Sequence, residues 1–230
     1  MLAWITYQPR GLPRVRHHIQ LLCGLPLCRV EIGGHPSVLL RLLLRREGHA
    51  LREAGIREGA WAEDLPSWGQ MDLRPVDIAP LRRAVLPSLL ACAFHQKHLS
   101  PGSASVRLTA PGTSLPVYWA AQLLAERVRY LHLAAGCGQQ ALEDWLLRRY
   151  GLACGGAAPS LEVSLSPDAP PSALLLGEGC RCQPVEYILP PTLRDAVPPG
   201  IEGECLLAAL HRQGRLPASE LAVKRIHFGA

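Results

Sequence analysis

Asparagine is absent from this chain, and lysine nearly so: of 24 basic residues only Lys97 and Lys224 are not arginine. Aromatic side chains are scarce as well, at 5%. Proteins that grip single strands of nucleic acid stack bases on aromatics set among basic groups, and this composition offers few such platforms. The formal charge of +5 has to be weighed against that. Residues 1–100 hold 13 basic and 8 acidic side chains while residues 101–230 hold 11 of each, so the excess is confined to the first half and thinly spread. Preference for arginine, absence of asparagine and abundance of glycine and proline together point to a GC-rich coding sequence. Nucleic acid is not the expected partner.

Long apolar runs are missing too. The longest nearly apolar stretch, residues 84–94, is too short to span a bilayer and contains Pro87. No basic start followed by an apolar region opens the chain, where Arg10, Arg14 and Arg16 stand instead. No membrane association is expected, and the chain reads as cytoplasmic. No G-x-S-x-G, P-loop lysine or H-E-x-x-H motif occurs, and paired carboxylates such as Glu63-Asp64 and Glu143-Asp144 read as solvated charges. No catalytic residue is therefore named.

Eight cysteines are present, with Cys180 and Cys182 the tightest pair. A structural zinc site normally shows two separated pairs, and one C-x-C does not supply them. Cys92, His95 and His98 recur at three-residue steps, but His98 drifts off the helical face of Cys92. His95, Lys97 and His98 suit the negative end of a helix. The thiols are expected to be reduced and metal-free.

What the chain does contain is the patterning of an α/β protein, with 48% hydrophobic residues over a length able to bury a full core. Residues 2–7 and 27–32 read as strands. A helix follows Gly33-Gly34, its buried face expected at Leu39, Leu42 and Leu43 opposite Arg41 and Arg45. Gly48 is expected to interrupt it, and Gly55 to cap its continuation. Residues 65–69 read as a loop. Ile78, Leu81, Val85, Leu89 and Ala93 fall at helical spacing after Asp77, a plausible N-cap, and Pro87 should kink or divide that segment. The clearest linker lies at residues 99–103, dividing the chain into an α/β region at 1–99 and a second at 104–230.

The second half is the more regular. Strand (105–110), turn (111–114), helix from Leu115, strand (129–134), turn (136–138) and helix to Gly151 follow one another with short connections. That order implies adjacent parallel strands. Val117, Ala120, Ala121, Leu124 and Val128 form one helical face, Leu142, Trp145, Leu146 and Tyr150 the other helix's buried side. Asp144 stands four residues before Arg148 as a supporting pair. After Gly151 short strands are expected at 161–165, 173–176 and 185–189, then a helix at 203–213.

Residues 106–152 resemble the first strand–helix–strand–helix of Rossmann-like dinucleotide-binding domains. At the glycine positions of the fingerprint stand Ala110, Gly112 and Leu115, and residues 129–135 carry no acidic group for a ribose. The resemblance implies a Rossmann-like parallel layer in the second half beside a smaller α/β N-terminal half. It also implies a phosphate or cofactor contact at Gly112, Thr113 and Ser114. Thr113 or Ser114 serves equally as an N-cap with Pro116 in the first turn, and that structural role is the favoured one. The expected function is accordingly a non-catalytic α/β protein that binds a protein or a small ligand. The alternative is a nucleotide-cofactor-dependent enzyme with an atypical phosphate loop at Gly112.

Overall fold

Alternating apolar runs and Gly- or Pro-marked turns give, in the computed structural model, β1 (Leu2–Gln8), β2 (Arg14–Leu22), β3 (Leu25–Gly33), α1 (Val38–Glu53), β4 (Glu58–Trp61) and β5 (Arg74–Pro75). They are followed by α2 (Ala79–Ala84), α3 (Leu86–Gln96), β6 (Ser105–Thr109), α4 (Leu115–Ala125), β7 (Tyr130–Ala134) and α5 (Gln139–Tyr150). Last come β8 (Leu161–Ser164), β9 (Leu174–Leu175), β10 (Val185–Ile188), α6 (Pro191–Arg194), α7 (Gly203–Arg212) and β11 (Ala222–Ile226). The structure describes residues 1–22, 24–61, 68–156, 158–166, 168–177, 183–194 and 203–229. The pair Cys180 and Cys182 and most of the loop read at 65–69 lie outside them. The protein is α/β, and among the described residues no helix is long and apolar enough to cross a membrane.

Two compact units are distinguished, Met1–Asp77 with Leu189–Pro217, and Ile78–Ile188 with Ala218–Ala230. The chain thus changes unit between Asp77 and Ile78, whereas the linker at residues 99–103 is a turn within the second unit.

The first unit holds a sheet of order β2-β3-β1-β4-β5, parallel except for β2, which runs antiparallel to β3. On one sheet face Ala3, Ile5, Cys28, Val30 and Ile32 pack with Leu40, Leu44 and Leu51 of α1. Each such leucine contributes roughly 1.5–3 kcal/mol of burial. The helix is rotated from the expected face: Leu39 and Leu42 are exposed, and the buried stripe runs Leu40, Leu44, Gly48, Leu51. Gly48 does not interrupt α1. It lies inside the helix because a Cβ there would come within 2.1 Å of the Met71 carbonyl oxygen. Ser37 caps the helix by accepting from the Leu40 amide at 3.1 Å, and Gly55, at φ +77°, ends it as expected.

In the second unit β6 and β7 are parallel neighbours, in register from Ser105 opposite Tyr130 to Thr109 opposite Ala134. β8 joins the other side of β6, and β9 follows, giving the all-parallel order β7-β6-β8-β9. Val117, Ala120, Ala121, Leu124 and Val128 are buried, as their spacing predicts. Pro87 divides its segment as expected: α2 ends at Ala84, and Pro87 enters the first turn of α3. The N-cap position of α2 is held by Ile78, one residue after Asp77. Trp145 and Tyr150 are only half-buried, meeting edge to face with centroids 5.6 Å apart. The Asp144–Arg148 ion pair does not form. Arg148 donates to the Asp144 carbonyl oxygen at 3.1 Å, and the Asp144 carboxylate accepts from Gln140. β10 and β11 form a separate antiparallel pair.

Candidate ligand cleft at the carboxyl edge of the parallel sheet

Val106 and Leu108 bury one face of β6, so the strand holds its place and delivers residues 110–114 at its carboxyl end. Ala110 extends the ladder by donating to the Ala134 carbonyl at 2.9 Å. Beyond it the turns after β6 and β7 interlock. Gly112 and Cys137 form a parallel backbone bridge, and the Thr113 amide and hydroxyl reach the Cys137 carbonyl oxygen at 3.1 and 3.3 Å. Gly136 and Gly138 permit the approach. Both have positive φ, and a Cβ on Gly138 would stand 2.2 Å from the Thr113 hydroxyl oxygen.

Ser114 occupies the N-cap position of α4 in an extended conformation, yet its hydroxyl makes no capping bond. Its carbonyl accepts from the Val117 and Tyr118 amides, and Pro116 has no N–H to offer. Thr113 is turned toward Cys137 rather than toward the helix. Among the described residues, the amides of Gly112, Ser114 and Leu115 have no acceptor.

These residues form one wall of an open cleft of about 450 Å³. Pro116 and Val117 continue that wall. Leu165, just past β8, and Gly177, past β9, line the cleft as well. Leu165 is fixed by donating to the Thr109 carbonyl at 2.8 Å, and Gly177 lies so close that a Cβ would meet the Leu165 carbonyl oxygen at 2.3 Å. The strand order changes direction here, since the chain leaves β6 for β7 on one side and later takes β8 on the other. Open α/β sheets bind ligands at such a switch point, outside the carboxyl ends of the strands.

Among the described residues Arg83, half-buried in the last turn of α2, is the one charged group lining the cleft. Among the described residues it makes no ion pair, and no carboxylate lines the cleft. Its neighbour Arg82 takes the opposite direction, fully buried, donating to the carbonyl oxygens of Leu175 (3.2 Å) and Gln183. Gln183 in turn accepts from the Leu175 amide at 3.1 Å and donates to the Ala173 carbonyl at 2.6 Å. This network ties the end of α2 to β9, which sets where Arg83 stands.

The structure therefore brings Gly112, Thr113 and Ser114 together in one cleft and adds Arg83, which the sequence reading missed. Arg107 stays within the sheet, in register with His132 and Glu162, and does not line the cleft. Cys92, His95 and His98 do not assemble a site: the Cys92 thiol donates to Gln96 at 3.3 Å, and burial raises its pKa. Burial and the nearby Glu143 push the Cys154 thiol up to about 11, while Cys137 is exposed. Among the described residues no group of three His, Cys, Asp or Glu side chains is placed to hold a metal. The sequence matches no family model and no curated protein.

Proposed function

We propose that this protein binds a small anionic ligand in the cleft at the carboxyl edge of the β7-β6-β8-β9 sheet and carries out no catalysis of its own. The observation that carries the reading is Arg83, a cation that has no ion-pair partner and shares its cleft with no carboxylate among the described residues. Gly112, Thr113 and Ser114 are the further contacts in the same cleft. There the Ser114 hydroxyl and the positive end of α4 favour negative charge.

The Rossmann-like likeness supports the position of the site and not the size of the ligand. A dinucleotide lays its adenosine half beside the second strand and anchors the ribose on a carboxylate there. Here the bridge between Gly112 and Cys137 joins the two turns, and β7 ends at Ala134, followed by Ala135 and Gly136. Thr113 is committed to Cys137 and Pro116 lacks an N–H, which leaves the amides of Gly112, Ser114 and Leu115 and the Ser114 hydroxyl as the donors of this turn. A ligand with one acidic group and an apolar body fits Arg83, Ser114 and the Leu165 and Val117 walls.

Thermal unfolding against benzoate, succinate, inorganic phosphate, NAD, NADP, ATP and S-adenosylmethionine tests this. A ligand at about one hundred times its dissociation constant adds about 2.7 kcal/mol of stability, a readable shift. The expected result is a shift with a small anion that Arg83→Ala abolishes. A shift with a nucleotide, or with no member of the panel, overturns the reading, and the nucleotide result favours the cofactor-dependent enzyme.

A further inference from the structure

Within the first unit, β2 closes one edge of the sheet. It pairs with β3 over nine residues, Arg14 opposite Gly33 through Leu22 opposite Leu25, with no register shift. Natural sheets protect edges of this length with bulges, prolines, short strands or charged side chains, and of these Arg14–Leu22 has only its basic residues. Among the described residues, no backbone group of β2 bonds outside the β2–β3 ladder. The outer row of amides and carbonyls is left for a further strand.

The side chains specify what that strand would be. Successive residues point to opposite faces. One face of β2 carries Arg14, Arg16, His18 and Gln20, the other Val15, His17, Ile19 and Leu21. On the first face Glu31, the acidic group in register with Arg16, pairs with Arg29 at 3.2 Å. Neither Arg14 nor Arg16 has an ion pair among the described residues. On the second face His17 is held by Glu47 of α1 at 2.7 Å, while Ile19 and Leu21 are 65% and 75% exposed. The geometry points to β2 as a docking edge for an extended acidic segment of another protein, one alternating carboxylates with apolar residues. Its carboxylates would face Arg14, Arg16 and His18, and its apolar side chains would cover Ile19 and Leu21. Cross-strand pairs of these two kinds are favourable. A second copy of β2 would bring the same positive charges to the edge, so self-pairing is the poorer fit.

The test uses the whole chain and a fluorescent peptide alternating glutamate with valine, read by anisotropy. The expected result is saturable binding that weakens at least tenfold in the doubly substituted Arg14→Glu, Arg16→Glu chain, with the circular dichroism spectrum unchanged. Binding should also disappear when every second peptide amide is N-methylated, which keeps the charge and removes the strand hydrogen bonds. That arm uses the unaltered protein and so does not depend on the variant folding. Equal binding of the N-methylated peptide, or none of the parent peptide, overturns the inference. So does a dimer seen by light scattering in the unaltered chain and lost in the double variant, which gives the edge to a second copy. Arg83→Ala should leave peptide binding unchanged, so this edge and the cleft stand or fall separately.

Discussion

Arg212 grips Glu58 with both arms of its guanidinium, Nη1 donating to Oε1 at 2.9 Å and Nη2 to Oε2, across 154 residues of sequence. The pair joins the last turn of α7 to the first residue of β4 within one unit. Pairing with Glu58 raises the arginine pKa further, leaving the group charged at any working pH. Both partners are partly exposed, so solvent screens the attraction. Arg212→Ala and Glu58→Ala should each cost about 1 kcal/mol or less, and a double-mutant cycle in urea should return a coupling of a few tenths up to about 1 kcal/mol. Strictly additive losses would show that the pair contributes nothing beyond its separate side chains.

Gly48→Ala should destabilise the protein although alanine favours helix by about 1 kcal/mol. The new Cβ would come within 2.1–2.7 Å of the Met71 backbone, which has to move. Overpacking of this kind typically costs about 1–3 kcal/mol. Urea denaturation decides the sign, and a more stable variant would show that the segment at Met71 yields easily.

That glycine also shows where the sequence stopped being informative. α1 begins Val-Leu-Leu-Arg-Leu-Leu-Leu, so two leucine stripes are available at helical spacing and local pattern does not choose between them. The choice is made by the approach of Met71, twenty-three residues further on, which only a glycine on the inner face admits. β2 was invisible for a different reason. It is an edge strand exposed on both sides, so its alternation is basic against mixed rather than polar against apolar. β6 and α4 were legible because each buries a regular apolar face, and β7, which buries only Leu131, because its short apolar run follows them after a brief connection. For the cleft, Gly112, Thr113 and Ser114 could be read from the strand–turn–helix pattern. Arg83 could not, because it arrives from α2 and no local signal links it to that turn.

Leu124 is fully buried on α4, whereas Gln122 is half-buried and donates to Glu126 at 3.4 Å. Leu124→Asp should therefore cost several kcal/mol, because it buries a carboxylate without a partner or forces it to stay protonated. Gln122→Asp should stay within about 1 kcal/mol, from helix propensity and repulsion with Glu126. Chemical denaturation of both variants side by side is the check. Comparable losses would contradict the orientation of α4 on the sheet.

The cysteines should react in order of exposure. Among Cys28, Cys92, Cys137, Cys154 and Cys205, iodoacetamide at about pH 8 should label Cys137 first, since Cys28, Cys92 and Cys154 are held as thiols by raised pKa values. Cys154 gives the pH window. Its folded value of about 11 lies above the ordinary 9.0, so the stability it lends is complete below pH 9.0 and is lost as pH rises towards 11. Peptide mapping by mass spectrometry reads the order, and urea midpoints of the unaltered chain and Cys154→Ser across that window read the slope. Cys154 labelling ahead of Cys137, or a slope that Cys154→Ser leaves untouched, would contradict the burial described.

The passage of the chain from one unit to the other and back has a consequence for synthesis. Arg212, the ion-pair partner of Glu58 in β4, is translated only after the whole stretch Ile78–Ile188 has been made. That stretch in turn waits for β11, whose Ile226 amide and carbonyl bond the Gln96 side chain at 3.0 and 3.1 Å. The first unit gains its last segment at Pro217 and the second only after it, so neither can be completed while the other is still a nascent stub. A ribosome stalled between Ile188 and Leu189 would therefore carry two unfinished units rather than one folded and one pending.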